Sequence, residues 1–406
     1  MLSLEQALAQ LLAAAHPVAE MEMLATQDAG GRVLAQPQLA RVDVPPLDNT
    51  AMDGYAVRVA DIPSAGSRLA VASRIPAGSV GSPLQAGTAA RIFTGAPIPA
   101  GADAVVMQEY CRAEADGTPL GSILVDQLPL PGAWIRRRGE DIANGCEILA
   151  AGTRLMPAQL GLAAAIGAAR LPVFRQLRVA LFSTGDELVM PGAVAPQDMA
   201  PGAIYNSNRA LLIGLLRALQ CQVDDLGIIP DQLEATRAAL RRAAAGNDLI
   251  VSSGGVSAGE EDHVKPAIRA EGSLDLWQVN IKPGKPLAFG RVGEAAFIGL
   301  PGNPVSSLVT FLLLVRPFIL KAQGSSASQP FAYRLRADFD WPQPDRRREF
   351  LRVRRNGEGG LDLFPSQNSS VLTSVAWADG LVDNAPGQAI VRGDQVSFLP
   401  LADLLY

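Results

Sequence analysis

Histidine is almost missing from this chain: His16 and His263 are the only two in 406 residues. A Ser-His-Asp hydrolase would have to rest on one of them, and no G-x-S-x-G elbow supports it. A zinc site built from several imidazoles is impossible for the same reason. Any metal is therefore expected to be hard and oxygen-ligated, such as Mg2+. Cysteine is scarce too. Cys111, Cys146 and Cys221 lie far apart with no CxxC spacing, which fits a reduced, cytoplasmic protein with neither disulfides nor a thiolate metal site. Aromatic residues make up only 5% of the chain, and the net charge is −5. Few platforms exist for stacking bases, and the acidic balance argues against nucleic acid as the main partner. An uninterrupted apolar run is also lacking. The most apolar stretch, VSSLVTFLLLVRPFIL (305–320), is broken by Arg316 and Pro317 and reads as too short to span a bilayer. The opening MLSLEQALAQLLAAAHPV has no basic leader and carries Glu5, so it reads as an amphipathic helix, not a signal peptide. A soluble protein with no membrane partner is expected.

What is present is apolar mass. With 48% hydrophobic and 18% charged residues the chain can bury a large core, and its length suits about two to four domains. From about 27 to 172 glycine and proline recur between short apolar runs such as AVVMQEY and SILVDQL. That texture predicts an antiparallel, turn-rich unit closed by a helix in PAQLGLAAAIGAA (157–169). Beyond it, strand and helix patterns alternate. RVALFS (178–183), QVDDLGIIP, NDLIVSSGG and AAFIGL (295–300) read as strands. Between and after them, NSNRALLIGLLRALQ (206–220), DQLEATRAALRRAAA (231–245, Asp231 at its N-cap), DHVKPAIRA and VSSLVTFLLLVRPFILKA read as helices. This alternation predicts a parallel α/β sheet covered on both faces, with ligands at the carboxyl ends of its strands. After the polar linker QGSSASQP, the stretches YRLRADFDW, REFLRVRR, LDLFP, GQAIVR and QVSFLP predict a small all-β barrel.

Four loops follow strands at that face. In FSTGDEL (182–188), Thr184 and Glu187 fit S/T-x-x-E, and a capping box that merely starts a helix is an open alternative to a functional loop. In VSSGGVSAGEEDHV (251–264), Ser252, Ser253, Gly254 and Gly255 continue through Ser257 and Gly259 into three acids. Glycine lets backbone N–H groups approach an oxyanion, but no Walker lysine follows, and acids at a helix start are electrostatically welcome in any case. IKPGKP (281–286) puts Lys282 and Lys285 on either side of a Pro-Gly turn, able to face one site or simply solvent. LPGNPVSS (300–307) offers Asn303 as N-cap and Pro304 as first helical residue. Elsewhere DNTAMDGYAV (48–57) and RRRGEDI (136–142) place Asp48, Asp53 and Asp141 in turns. DRRREFLRVRR (345–355) holds six arginines, either a charge-defended edge strand or an anionic-ligand surface.

DNTAMDGYAV, IFTGAPIPAGADAVVMQE, RRRGEDI, FSTGDEL, YNSN, SSGGVSAGEEDHV, KPGKP and LPGNPVSS occur in one order. In that order the chain resembles the molybdopterin molybdenumtransferases and the homologous C-terminal region of gephyrin, over roughly residues 1 to 400. The resemblance implies a multidomain α/β plus β fold: a molybdopterin-binding α/β domain with a parallel sheet, turn-rich β domains and a small C-terminal β-barrel. It divides the chain into a discontinuous α/β domain (1–25 and 173–323), a linking domain (26–44 and 139–172), a turn-rich β domain (45–138) and the barrel domain (324–406). It implies a homodimer whose site lies between the α/β domain of one subunit and the turn-rich domain of the other. The implied reaction takes adenylylated molybdopterin and molybdate, with Mg2+, and yields molybdenum cofactor and AMP. Partners would be molybdopterin adenylyltransferase upstream and molybdoenzyme maturation proteins downstream.

Carried over residue by residue, Asp53, Asp141, Glu187, Asp231 and Asp262 match the acidic active-site positions, with Glu187 and Asp262 the expected metal ligands. For Asp231, N-cap and active-site readings both stand. Lys282 and Lys285 would hold molybdate or phosphate oxygens, and Thr94 would line the opposing lobe. Ser253, Gly254, Gly255 and Ser257, with Pro301, Asn303 and Pro304, would line the substrate site. Breaking an adenylate anhydride needs charge neutralisation and a metal more than a strong base. Two places depart from the pattern. SQNSSVL stands where the family's barrel reads close to Q-G-S, so Ser369 is matched by position alone, and His263 replaces an aromatic after Asp262. Alternative readings are an adenylyltransferase-like activity, disfavoured by the extra domains, and a non-catalytic scaffold of the gephyrin type, disfavoured by the absence of a fused linker.

Overall fold

The fold is seen in a computed structural model that describes residues 1–18, 20–255, 263–326 and 330–405. At its centre is a six-stranded sheet. In spatial order its strands are Gln222–Ile229, Arg178–Thr184, Leu249–Ser253, Ala295–Leu300, Pro286–Val292 and Gly272–Gln278. The first four run parallel. The last two join as antiparallel neighbours, an extension the sequence pattern did not indicate. Their connections are too short for the crossover a parallel pair needs, so the chain can only fold back on itself.

Successive strand side chains point to opposite faces, and the unbroken apolar runs use both. Val179, Leu181, Val251, Ile298 and Leu300 enter one core, while Ala180, Phe182, Ile250 and Phe297 enter another. Helices Ser207–Ala218 and Pro304–Ala322 supply residues to the first core, and Leu233–Ala244 and Val264–Glu271 to the second. The N-terminal helix Leu4–Ala14 starts at a capping box, in which Gln6 N–H donates to Ser3 Oγ at 3.1 Å and Ser3 N–H to Gln6 Oε1 at 2.9 Å. Its Ala7 and Leu11 pack into the first core, so the two ends of this unit meet across the intervening chain.

The helix expected over VSSLVTFLLLVRPFILKA (305–322) is present, from Pro304 to Ala322. Helix continues through Arg316 and Pro317 to Ala322, with a π turn at Phe311–Val315 ahead of the proline. Pro317 has no N–H and its ring crowds the carbonyl four residues back, which a widened turn accommodates. By length and composition this 19-residue helix is long and apolar enough for a membrane, yet 94% of its most apolar stretch is buried within the fold.

Residues 45–138 hold a second six-stranded sheet, ordered Ala104–Met107, Gly54–Val57, Thr88–Ile92, Ser67–Ile75, Ser122–Val125 and Cys111–Glu114. It is antiparallel as expected except for Ser67–Ile75 and Thr88–Ile92, which pair in parallel through the long 76–87 connection. Between the two sheets, Met21–Ala25 pairs with Arg170–Phe174 and Gln38–Leu39 with Glu147–Leu149. The helix Pro157–Ala165 packs beside them on Leu34, Leu149, Leu155 and Leu171.

The C-terminal segment closes a five-stranded barrel from Tyr333–Ala337, Arg348–Arg355, Gly360–Leu363, Gly380–Asn384 and Gln395–Pro400. Of the stretches read as strands, GQAIVR makes only an isolated bridge, Ile390 to Trp341; its place is taken by Gly380–Asn384. Arg348–Arg355 is paired on both sides, so it is not an edge strand. The short strand Ile281–Lys282 adds to it in parallel, stitching the α/β unit to the barrel.

Candidate active site

Parallel strands end on one side of their sheet, and four of those ends open into a cleft of about 800 Å³. Thr184, Gly185 and Glu187 lie at the end of Arg178–Thr184, Asp231 after Gln222–Ile229, Ser253, Gly254 and Gly255 at the end of Leu249–Ser253, and Pro301, Gly302, Asn303 and Pro304 after Ala295–Leu300. Tyr205, Asn206, Asn208, Ser370 and Leu372 complete its walls. Most of the separate sequence motifs of this region therefore reach one cavity.

The loops differ in detail from their sequence reading. No helix starts at Thr184, so the capping-box alternative fails: the strand ends there, turns at 185–187 and resumes as Leu188–Val189. Gly185 leaves room for the acid, since a Cβ there would sit 2.6 Å from a Glu187 carboxylate oxygen. Asp231 is not an N-cap either. That position belongs to Gln232, and Asp231 N–H instead donates to Asp186 Oδ1 at 3.4 Å. Gly255 has φ +70°, and a Cβ would meet Val264 Cγ2 at 2.3 Å, so no other residue fits without a shift. Gly254 N–H donates to Leu300 O at 3.1 Å, which takes it out of the set of donors free for a phosphate. Asn303 holds the N-cap position and Pro304 follows it, but the Asn303 side chain does not cap; its Nδ2 donates to Ser369 Oγ at 3.0 Å.

Sequence reasoning missed several lining groups. Asn206 caps its helix by accepting from Arg209 N–H at 3.1 Å, and Asn208 Nδ2 donates to Gly302 O at 2.6 Å. Asn206 Nδ2 and Asn208 Oδ1 are buried without a partner among the described residues, the condition of amides awaiting a ligand or water. The YNSN motif was the signal that could have found them.

A second pocket of about 500 Å³ adjoins the first and shares Pro286 and Ser306 with it. Lys282, Lys285 and Arg347 make it cationic, and Gln367, Asn368 and Ser369 close it. Both lysines of KPGKP do face one site. Lys282 Nζ donates to Glu349 Oε1 at 3.1 Å and lies 3.4 Å from Asp345 Oδ2. Arg347 hydrogen-bonds Asp345 and holds its carboxyl well below the usual range. Three cations thus face two carboxylates, a net positive pocket.

Asp53, Thr94 and Asp141 line neither cavity of their own chain. Thr94 donates to Asp53 Oδ1 from its N–H at 2.8 Å and its hydroxyl at 2.7 Å, lowering the Asp53 carboxyl. Asp141 is exposed, its N–H donating to Val44 O at 3.0 Å. Ser257 and Asp262 lie outside the described residues.

Residues 2–167 match the family profile of the MoeA N-terminal region (domain I and II), residues 180–321 that of a probable molybdopterin binding domain, and residues 334–401 that of the MoeA C-terminal region (domain IV). A molybdopterin molybdenumtransferase of Haemophilus influenzae is 43% identical over 80% of this chain and 78% of its own. Molybdopterin molybdenumtransferase 2 of Mycobacterium tuberculosis is 37% identical over 93% of each chain. Two structures of the molybdopterin biosynthesis MoeA protein of Pyrococcus horikoshii superpose with TM-scores of 0.77 and 0.84. They are 31% and 27% identical and cover 98% of this chain and 99% and 100% of theirs. Similarity of this extent, nearly end to end in sequence and in fold, places the chain in the molybdopterin molybdenumtransferase family.

Proposed function

We propose that this protein acts in molybdenum cofactor biosynthesis, inserting molybdate into adenylylated molybdopterin and releasing AMP. The carrying observation is the pair of adjoining cavities that share Pro286 and Ser306. One is large, with amides, hydroxyls and two acids; the other is small and cationic. A phosphorylated organic substrate and a tetrahedral oxyanion need such different surroundings, and transfer between them needs the surroundings to touch.

In this reading Ser253, Gly254, Gly255, Ser257, Pro301, Asn303 and Pro304 line the pterin and phosphate side. Lys282 and Lys285 hold molybdate, with Ser369 at the boundary through its bond to Asn303. Asp53, Thr94 and Asp141 come to the cleft from the partner subunit of a homodimer. The donors available at the large cleft are oxygen atoms, including the carboxylates of Glu187 and Asp231, with no histidine or thiol. No cluster of three or more metal-binding side chains occurs among the described residues. One or two carboxylates plus phosphate oxygens is the set Mg2+ takes, so the residues fit that ion, with Glu187 and Asp262 to hold it. When bound, Mg2+ would supply charge neutralisation on the phosphoanhydride that breaks as AMP leaves. The protein's own share is orientation: the lysines fix the oxyanion, and the walls of the large cleft fix the pterin against it.

The test is AMP release from adenylylated molybdopterin with Mg2+, with and without molybdate. Molybdate-dependent release is expected. Intact adenylate and no AMP would overturn the reading and leave a fold retained for scaffolding; formation of the adenylate from ATP and molybdopterin would indicate adenylyltransferase activity instead.

A further inference from the structure

On the turn-rich sheet, Tyr55, Arg91 and Arg74 stand in one row across three neighbouring strands, Tyr55 paired with Arg91 and Arg91 with Arg74. Cross-strand partners share a face of the sheet. Phe93, two residues past Arg91, joins them there, and both arginines stack on its ring. Arg74 Cζ lies 4.8 Å and Arg91 Cζ 4.7 Å from the Phe93 centroid, and Arg91 Cζ lies 5.2 Å from that of Tyr55. The next residue is Thr94, which donates to Asp53.

Neither arginine forms an ion pair among the described residues. Arg91 is half-buried and spends its donors on neutral oxygens, Nη1 on Gly54 O at 2.8 Å and Nη2 on Gln108 Oε1. Gln108 Nε2 donates to Glu109 Oε1 at 3.3 Å, so the amide stands between that acid and the guanidinium. The Asp53 carboxyl, lowered first by its bonds from Thr94, is lowered further by Arg91 but is already engaged by Thr94. Arg74 is exposed, and among the described residues its guanidinium has only the Phe93 ring. Ser67–Ile75 and Thr88–Ile92 are both interior strands, so defence of a sheet edge does not account for the two charges. Two cations brought onto one ring repel each other, and an anion between them removes that cost.

We propose that Arg74, Arg91 and Phe93 form a nucleotide subsite beside Asp53 and Thr94, which takes the phosphate of the adenylyl group and of AMP once released. This rests on the functional reading above, in which the turn-rich sheet faces the cleft of a second copy. There the large cleft takes the pterin and the cationic pocket takes molybdate, and the adenylyl group is the anionic part left to hold. A guanidinium fixed by stacking offers its planar fork to two phosphate oxygens at once. Its plane also stacks on a base as it does on Phe93. Arg74 supplies the free fork, Phe93 fixes it, and Arg91 adds charge.

The probe is AMP on the full-length protein, read by titration calorimetry and amide hydrogen exchange. AMP should bind and slow exchange in 72–76 and 91–95. R74A should weaken AMP binding roughly tenfold at the wild-type Tm. F93L, which keeps an apolar side chain but removes the ring, should weaken it less. In turnover, R74A should raise the KM for the adenylylated substrate and leave the KM for molybdate unchanged. No AMP binding by the wild type, an unchanged AMP affinity in R74A, or protection confined to 184–188 and 251–255 would each overturn the proposal. Inorganic phosphate competing as well as AMP would assign the patch to free phosphate and overturn the nucleotide assignment. If the wild type releases no AMP from the adenylylated substrate, the functional reading fails, and AMP binding by wild type and R74A still decides whether the patch holds a nucleotide.

Discussion

Lys282 donates to a carboxylate that is 1% exposed, and Glu349 also accepts from Trp341 Nε1 at 2.8 Å and Asp345 N–H at 3.1 Å. Two of those bonds fall on Oε2, so among the described residues Oε1 accepts from the lysine alone. Removing the ammonium strands a buried acceptor, which costs about 1–3 kcal/mol; an exposed ion pair would be worth about 0–1 kcal/mol. Lys282→Ala is therefore expected to lose stability and turnover together, and it cannot separate binding from folding. Lys285 is exposed, so Lys285→Ala should keep the wild-type Tm while raising the KM for molybdate. Thermal unfolding and AMP release on the two variants check this; equal Tm values would mean Glu349 is satisfied without Lys282.

At the scale of elements, the barrel has an acid-labile corner. Hydrogen bonds from Arg336, at 2.7 and 3.0 Å, and from Asn356 at 2.8 Å hold the Asp338 carboxyl at about 2. Its folded value lies below the unfolded one of about 3.9. The stabilisation is therefore complete above about pH 4 and is lost as pH falls toward 2. Asp338→Asn should be less stable than wild type at neutral pH, with the Tm difference shrinking through that window. A difference that stays constant down to pH 2 would place the contribution in packing. The central sheet follows the same logic of local pattern meeting partner. Arg178–Thr184 and Ala295–Leu300 are legible because both faces are covered and the run is unbroken. Gly272–Gln278 is an edge strand beside a hairpin, carrying polar residues among its apolar ones, and gives no such signal.

For the whole molecule, the turn-rich sheet carrying Asp53 and Thr94 contributes nothing to its own chain's cleft. If that sheet serves a second copy, Asp53→Asn and Glu187→Gln chains, each inactive alone, should complement when dissociated, mixed and reassembled. A mixed dimer then has one intact site and one carrying both changes, and random pairing should restore about a quarter of wild-type turnover. No recovery, with mixed dimers demonstrated by mass, would mean that the two residues act within one chain's site or that Asp53 has no part in it.

Composition and periodicity by themselves determined the class of fold: an α/β sheet covered on both faces, with strand-end loops rich in glycine, acids and lysine. These are properties of short windows, and parallel strands bring their carboxyl ends to one side whatever their order, so the cleft at Glu187, Asp231, Ser253 and Asn303 was implicit in the chain. The tertiary structure alone decided which polar groups are spent and which are free. Gly254 N–H goes to Leu300, Asp231 is no cap, Lys282 reaches Glu349, and Arg352 donates to Asn368 O from inside the barrel. The Lys282–Glu349 partners lie 67 residues apart. Such pairings depend on where the barrel closes against the sheet, which no local pattern encodes.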